Sequence, residues 1–203
     1  NWAGQPNKLN YKIEKTIKKD HKFLIVFAGN IGKAQSLVNI VQAAKILEKR
    51  GSNAEFLIIG DGIDLQNVQA FKAENKVGNL SFMGRVSKDK IGSYLQQADA
   101  FIVHLKNMPL FKITIPSKTQ TYMSFGKPII MCVEGDASEL IKEAKCGVIC
   151  KPQKPRDIAN SIENLLSKSK SEIQKMGFNG RDFYNQKLSI DIGISKFARL
   201  FNE

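Results

Sequence analysis

The chain has 203 residues, 42% of them hydrophobic, with a formal net charge of +12 and three cysteines. That length suits one domain with a real core, and no apolar run reaches the roughly 20 residues that a bilayer span requires. The odd cysteine count, with Cys132, Cys146 and Cys150 all in or beside apolar runs, argues against a disulfide framework and for a reducing compartment. Cys146-x3-Cys150 would be half a metal site, but no second Cys/His pair completes it, so no metal is expected. The first residues are polar and mixed, so no signal peptide is expected. The start at Asn1-Trp2 without a methionine leads to the expectation of an excised fragment.

Residues 1–6 read as a linker, and residues 11–19 as a short helix leading into a sheet. After Asp20 the pattern becomes regular. The continuous apolar run 23–28 predicts a buried strand that ends at Gly29. Leu37, Ile40, Val41, Ala44 and Leu47 then recur at helical spacing, and Gly51 stops that helix. A second strand is predicted at 56–59, ending in Gly60-Asp61-Gly62, where Asp61 could cap a helix over 65–74. A third strand at 80–83 ends at Gly84-Arg85, and Ser87 is placed to cap a helix containing Ile91, Tyr94 and Leu95. Strands at 100–105 and 129–133 come next, with a loop at 107–114 and a helix opening at Pro116 between them. A helix around 138–144 leads to a short strand at 147–150. Helices at 156–167, 171–178, 180–186 and about 189–201 complete the chain.

Continuous apolar strands alternating with amphipathic helices predict an α/β fold, a Rossmann-like doubly wound parallel sheet of about six strands. Ligands of such sheets sit at the carboxyl ends of the strands. The residues of interest therefore lie just after each strand. Gly29-Asn30-Ile31-Gly32-Lys33 could cradle a phosphate with backbone N–H groups and the Lys33 cation, although a plain tight turn would look the same. It matches neither the dinucleotide fingerprint nor a Walker loop. Arg85-Val86 could meet a flat base or a phosphate, and a surface arginine at a turn is the competing reading. His104 and Lys106 end the fourth strand, where a histidine could reach a substrate oxygen or serve the core. Pro116-Ser117-Lys118 opens a helix with outward N–H groups and a cation, which suits an anion. Gln120 and Thr121 lie on its first turns.

Taken together these pieces resemble the donor-binding C-terminal domain of a family 4 retaining glycosyltransferase, half of a GT-B fold. The resemblance covers nearly the whole chain. Asn1-Trp2-Ala3 resembles the family's interdomain linker. His104-Leu105-Lys106, Pro109-Leu110-Phe111, Ile115-Pro116-Ser117-Lys118-Thr119-Gln120-Thr121-Tyr122 and Gly126-Lys127-Pro128 resemble its WbuB-like branch, which acts in O-antigen and capsule assembly. The resemblance implies a linker and lead-in helix at 1–20, a nucleotide-sugar-binding domain at 21–187 and a C-terminal helix at 188–203. It implies a UDP-linked amino sugar as donor, no metal or other cofactor, and an acceptor domain that is absent here, leaving this fragment inactive alone. Lys33 and Lys118, with help from Arg85, would stabilise the departing diphosphate, each contact contributing roughly 2–4 kcal/mol to the transition state. Gly29, Asn30, Gly32 and Ser117 would hold the diphosphate and Arg85 and Val86 the base, and His104 and Lys106 would also be substrate-binding residues. The family's E-x7-E acids are missing, Ile113 and Thr121 standing in their places, so Gln120 or Thr121 would bond the ribose.

Two other readings stay open. A sugar-nucleotide 2-epimerase uses the same two-domain fold. The +12 charge also suits a non-catalytic module for nucleic acid or anionic membrane, though few aromatics interleave with the basic runs, so nucleic acid is not expected as a partner. A basic face could also hold a cytoplasmic transferase at the inner membrane of a bacterium, where lipid-linked acceptors sit.

Overall fold

The computed structural model describes residues 22–194. The linker and lead-in helix expected at 1–20, and residues 195–201 of the last expected helix, lie outside them. The elements in order are β1 (Phe23–Ala28), α1 (Val38–Lys49), β2 (Ala54–Ile59), α2 (Leu65–Glu74), β3 (Leu80–Gly84), α3 (Lys88–Leu95), β4 (Ala100–His104), α4 (Pro109–Lys112), α5 (Ser117–Ser124), β5 (Ile129–Cys132), α6 (Asp136–Ala144), β6 (Gly147–Ile149), α7 (Pro155–Leu166) and α8 (Lys170–Phe183), ending in a π-helical turn at Tyr184–Leu188.

The six strands form one sheet in the order β3-β2-β1-β4-β5-β6, and every pairing is parallel. This is the Rossmann-like doubly wound sheet that the apolar runs predict. Successive side chains of a strand point to opposite faces, and both faces are covered. Ile25 and Phe27 join Phe56 and Ile58 under α1, α2 and α7. Leu24 and Val26 join Phe101, Val103 and Met131 under α5 and α6. A strand buried on both faces has no polar position, so it reads as an unbroken apolar run.

Strand order reverses between β1 and β4. These two strands pair only at Ile25–Ala100 and Val26–Phe101, then splay apart. The Tyr122 hydroxyl of α5 fills the opening. It accepts a hydrogen bond from the Ala28 N–H at 2.7 Å and donates to the Ala28 carbonyl at 3.1 Å. Its ring stacks on Phe101 at 4.2 Å between centroids, 8° from parallel. One side chain thus replaces the missing strand-to-strand bonds and holds the crevice open.

Three expectations need correction. The segment at 107–114 is not a plain loop, since it contains α4. Asp61 does not cap α2. Asp64 occupies the N-cap position, while the Asp61 carboxylate accepts from the Gly62 N–H at 2.7 Å. The helices expected at 171–178 and 180–186 are one helix, α8, continuing into the π turn. Gly177 and Gly180 within α8 serve close packing. A Cβ at Gly177 would lie 2.1 Å from the Gly126 carbonyl oxygen, and one at Gly180 would lie 3.0 Å from the Cys146 Cβ.

Candidate functional site

A cavity of about 890 Å³ opens at the carboxyl edge of the sheet, where β1 and β4 part. Its walls come from the segments that follow β1, β2, β3 and β4, and from the start of α5. Two of those segments are zipped together. Gly29 N–H donates to the Ile59 carbonyl and Ile31 N–H to the Asp61 carbonyl, at 2.9 and 2.8 Å. Gly60 is needed for that approach, because a Cβ there would sit 1.9 Å from the Gly29 oxygen. The glycine turns are therefore not only punctuation. They let two backbone ribbons run side by side under the cavity.

Lys118 is the chemical centre of the cavity. It belongs to the first turn of α5, behind the N-cap Pro116. Its Nζ is buried and has no hydrogen-bond partner among the described residues. It lies 3.6 Å from the centroid of the Phe27 ring, and a Cβ at Gly29 would come within 3.0 Å of it. Burial pushes its pKa down from 10.5 to about 7. The position is electrostatically costly in three ways. The ammonium is desolvated, it lacks a counter-ion, and it stands beside the positive end of a helix dipole. The cation–π contact offsets only part of this. An anion in the cavity would relieve all three costs at once.

Of the residues singled out in the sequence, Gly29, Asn30, Arg85, Val86, Ser117, Lys118 and Thr121 line the cavity. Five others do not. Lys33 is exposed outside the lining. Gly32 is buried, its N–H bonded to the Gln35 Oε1 at 3.0 Å. Lys106 donates its backbone N–H to the Ala34 carbonyl, and its side chain is not part of the wall. The Gln120 amide oxygen is buried without a partner and outside the lining, so Thr121 is the one of the two that faces the cavity.

His104 is also turned away. Its Nδ1 lies 2.7 Å from the Gln35 carbonyl, which only an Nδ1–H can bond, and its Nε2 accepts from the Gln153 N–H at 3.1 Å. Desolvation lowers its pKa to about 4, so the ring is neutral at neutral pH. The Gln153 side chain then accepts from the Asn107 N–H at 2.7 Å. His104 thus fastens together the segments after β1, β4 and β6, with both nitrogens in use.

Several wall residues escaped sequence reasoning. Gln35 and Lys88 line the cavity. So does Tyr122, whose polar wedge role is hidden in what reads as a packing position. Gln35 carries no local signal, because a polar residue in a loop can point anywhere. Lys88 follows the Arg85-Val86 turn closely enough to have been included. With Arg85 and Lys118 it gives the wall, among the described residues, three cations against the one carboxylate of Asp61. Among the described residues, no three His, Cys, Asp or Glu side chains converge as a metal site would need.

Known proteins share this fold. HepE from Anabaena, solved with UDP and glucose, superposes with a TM-score of 0.76 at 14% identity, covering 90% of this chain and 48% of that one. Neighbours of this kind are GT-B glycosyltransferases, so the fold is the Rossmann-like half of a GT-B fold. The probable glycosyltransferase WbjE of Pseudomonas aeruginosa is 28% identical over 179 residues, 87% of this chain and 43% of its own length. The capsular polysaccharide biosynthesis glycosyltransferase CapM of Staphylococcus aureus is 22% identical over 203 residues, 97% of this chain and 50% of its own. The chain thus spans half or less of the length of these relatives. Residues 10–183 match the family described as glycosyl transferases group 1, and the chain belongs to that family.

Proposed function

We propose that the cavity binds the diphosphate of a nucleotide-sugar, and that the chain is the donor half of a retaining glycosyltransferase whose acceptor half lies outside it. The observation that carries this reading is the buried, partnerless Lys118 ammonium at the start of α5, inside the switch-point cavity. The UDP held by HepE supports uracil as the base. The name of CapM, a capsular polysaccharide biosynthesis glycosyltransferase, supports transfer in surface-polysaccharide assembly. Within that setting our reading is hexosyl transfer from a UDP-linked amino sugar, in the manner of the WbuB-like branch, without a metal.

In this reading Lys118 and the α5 N–H groups hold the leaving phosphate oxygens, and Arg85 and Lys88 face the rest of the nucleotide. Cations aimed at the place where negative charge develops lower the barrier without moving during the reaction. Lys33, exposed and off the wall, contributes little. A 2-epimerase would need several acids, bases or histidines in the cleft, and among the described residues the wall has one carboxylate, Asp61, and no histidine.

Calorimetric titration of the chain with UDP, GDP and CDP tests the proposal. UDP is expected to bind in the micromolar-to-millimolar range, and Lys118→Ala to weaken it by about 2 kcal/mol, as for a charge-assisted contact. Lys33→Ala is expected to do far less. Absence of binding by any of the three at millimolar concentration rules the reading out. Robust sugar transfer by the chain alone would show that the acceptor site is here and not in a second half.

A further inference from the structure

A second basic concavity lies at the opposite edge of the sheet. Its sheet-side residues immediately precede strands: Lys22 and Phe23 at β1, Asn53 before β2, Asp99 before β4 and Pro128 before β5. Helix α8 closes it. The cavity measures about 600 Å³ and, among the described residues, is lined by five cations, Lys22, Lys127, Lys168, Lys170 and Arg181, and one carboxylate, Asp99. That carboxylate already accepts from the Leu24 N–H at 2.9 Å. Glu172, on the same helix, is turned into the Ser169 cap. The cations come from three separate stretches of sequence and are gathered here by the fold. Like charges so collected repel one another, and the field they make attracts an anionic partner.

The groove is not purely polar. Phe23, Ile173 and Phe178 also line it, and Phe178 is 59% exposed on α8. A large aromatic held out in water among lysines matches a surface that is charged outside and apolar a few ångströms in. The chain that enters the groove at Lys22 also carries Lys8, Lys12, Lys15, Lys18 and Lys19 just before it in sequence. Clusters of that size hold proteins on anionic headgroups. A nucleic acid would ask instead for a charged track with interleaved stacking aromatics.

We infer that this groove docks the chain on an anionic phospholipid surface, Lys22, Lys168 and Lys170 meeting headgroup phosphates and Phe178 entering the interface. The inference does not depend on the nucleotide reading, since the two cavities share no residue.

Co-sedimentation with phosphatidylcholine vesicles, with and without phosphatidylglycerol, tests it. The whole chain should pellet with the phosphatidylglycerol vesicles only, and less so as salt rises. The double variant K168E/K170E should lose binding on the order of tenfold or more, and Phe178→Ser should lose several-fold with little effect on the salt dependence. These side chains are partly or fully exposed, and circular dichroism verifies that the variants fold. The decisive control is K49E/R156E, which makes the same change in net charge at a different groove. Binding that survives the control but not K168E/K170E supports the inference. Equal losses in both double variants would overturn it, leaving only bulk charge attraction. Absence of vesicle binding would overturn it too. So would a groove-dependent affinity for duplex DNA, or for inorganic phosphate, that exceeds the affinity for vesicles.

Discussion

Near neutral pH the Lys118 amine stands at its midpoint, because burial has brought its pKa to about 7. This gives the proposed site a pH signature. An anion in the cavity favours the charged amine and raises its pKa. Between about 7 and that raised value, binding must take up a proton, so affinity falls as pH rises through this window. At pH 8 the uptake should approach one proton per nucleotide bound, since terminal phosphates are already ionised there. Calorimetry in buffers of different ionisation enthalpy measures it, and Lys118→Met should abolish it. Zero uptake by the unaltered protein would mean that the amine is not at the phosphates. Nothing in the sequence distinguishes this lysine from Lys33. Both follow glycine- or proline-marked turns beside strands, and only the direction of each side chain separates a buried partnerless amine from an exposed one. The same holds for His104, whose two backbone partners at Gln35 and Gln153 are far from it in sequence.

At the scale of elements, α5 and α8 depend on glycine contacts more than on their own helical propensity. Gly177 lets α8 lie directly on the backbone at the end of α5, with Arg181 donating to the Phe125 carbonyl there at 3.1 Å. Ala is the better helix former by about 1 kcal/mol, so an isolated α8 peptide should become more helical with Gly177→Ala. The folded chain should instead lose about 1–3 kcal/mol from overpacking, read by urea denaturation. A stabilised protein would show that the contact is soft. This opposition explains why the helix boundary was illegible. Spacing in sequence treats glycine as a breaker, whereas the fold uses it as a gap. The strands were legible for the reverse reason. Burial on both faces forces unbroken apolar runs such as 23–28, which no surface helix would carry. Their carboxyl ends located the cavity wall at Gly29, Arg85 and Val86, and the polar wedge of Tyr122 was lost because tyrosine packs as readily as it bonds.

For the whole molecule, the sheet axis separates two cationic mouths. One lies past the carboxyl ends of the strands, the other before their amino ends. Among the described residues, no helix is long and apolar enough to cross a membrane, so any hold on a bilayer through them would come from the surface. Strands such as β1 and β2 have six residues each, at about 3.3 Å per residue. The two mouths are therefore on the order of 20 Å apart and face opposite ways. A chain resting on headgroups by its lysine groove would point the Lys118 cavity outward, more than one Debye length from the lipid charge at physiological salt. Water-borne donor would then enter without passing the bilayer, and lipid phosphates would not compete for Lys118. UDP affinity should accordingly be the same with and without saturating phosphatidylglycerol vesicles. A drop in affinity on vesicles would mean that the molecule lies the other way up.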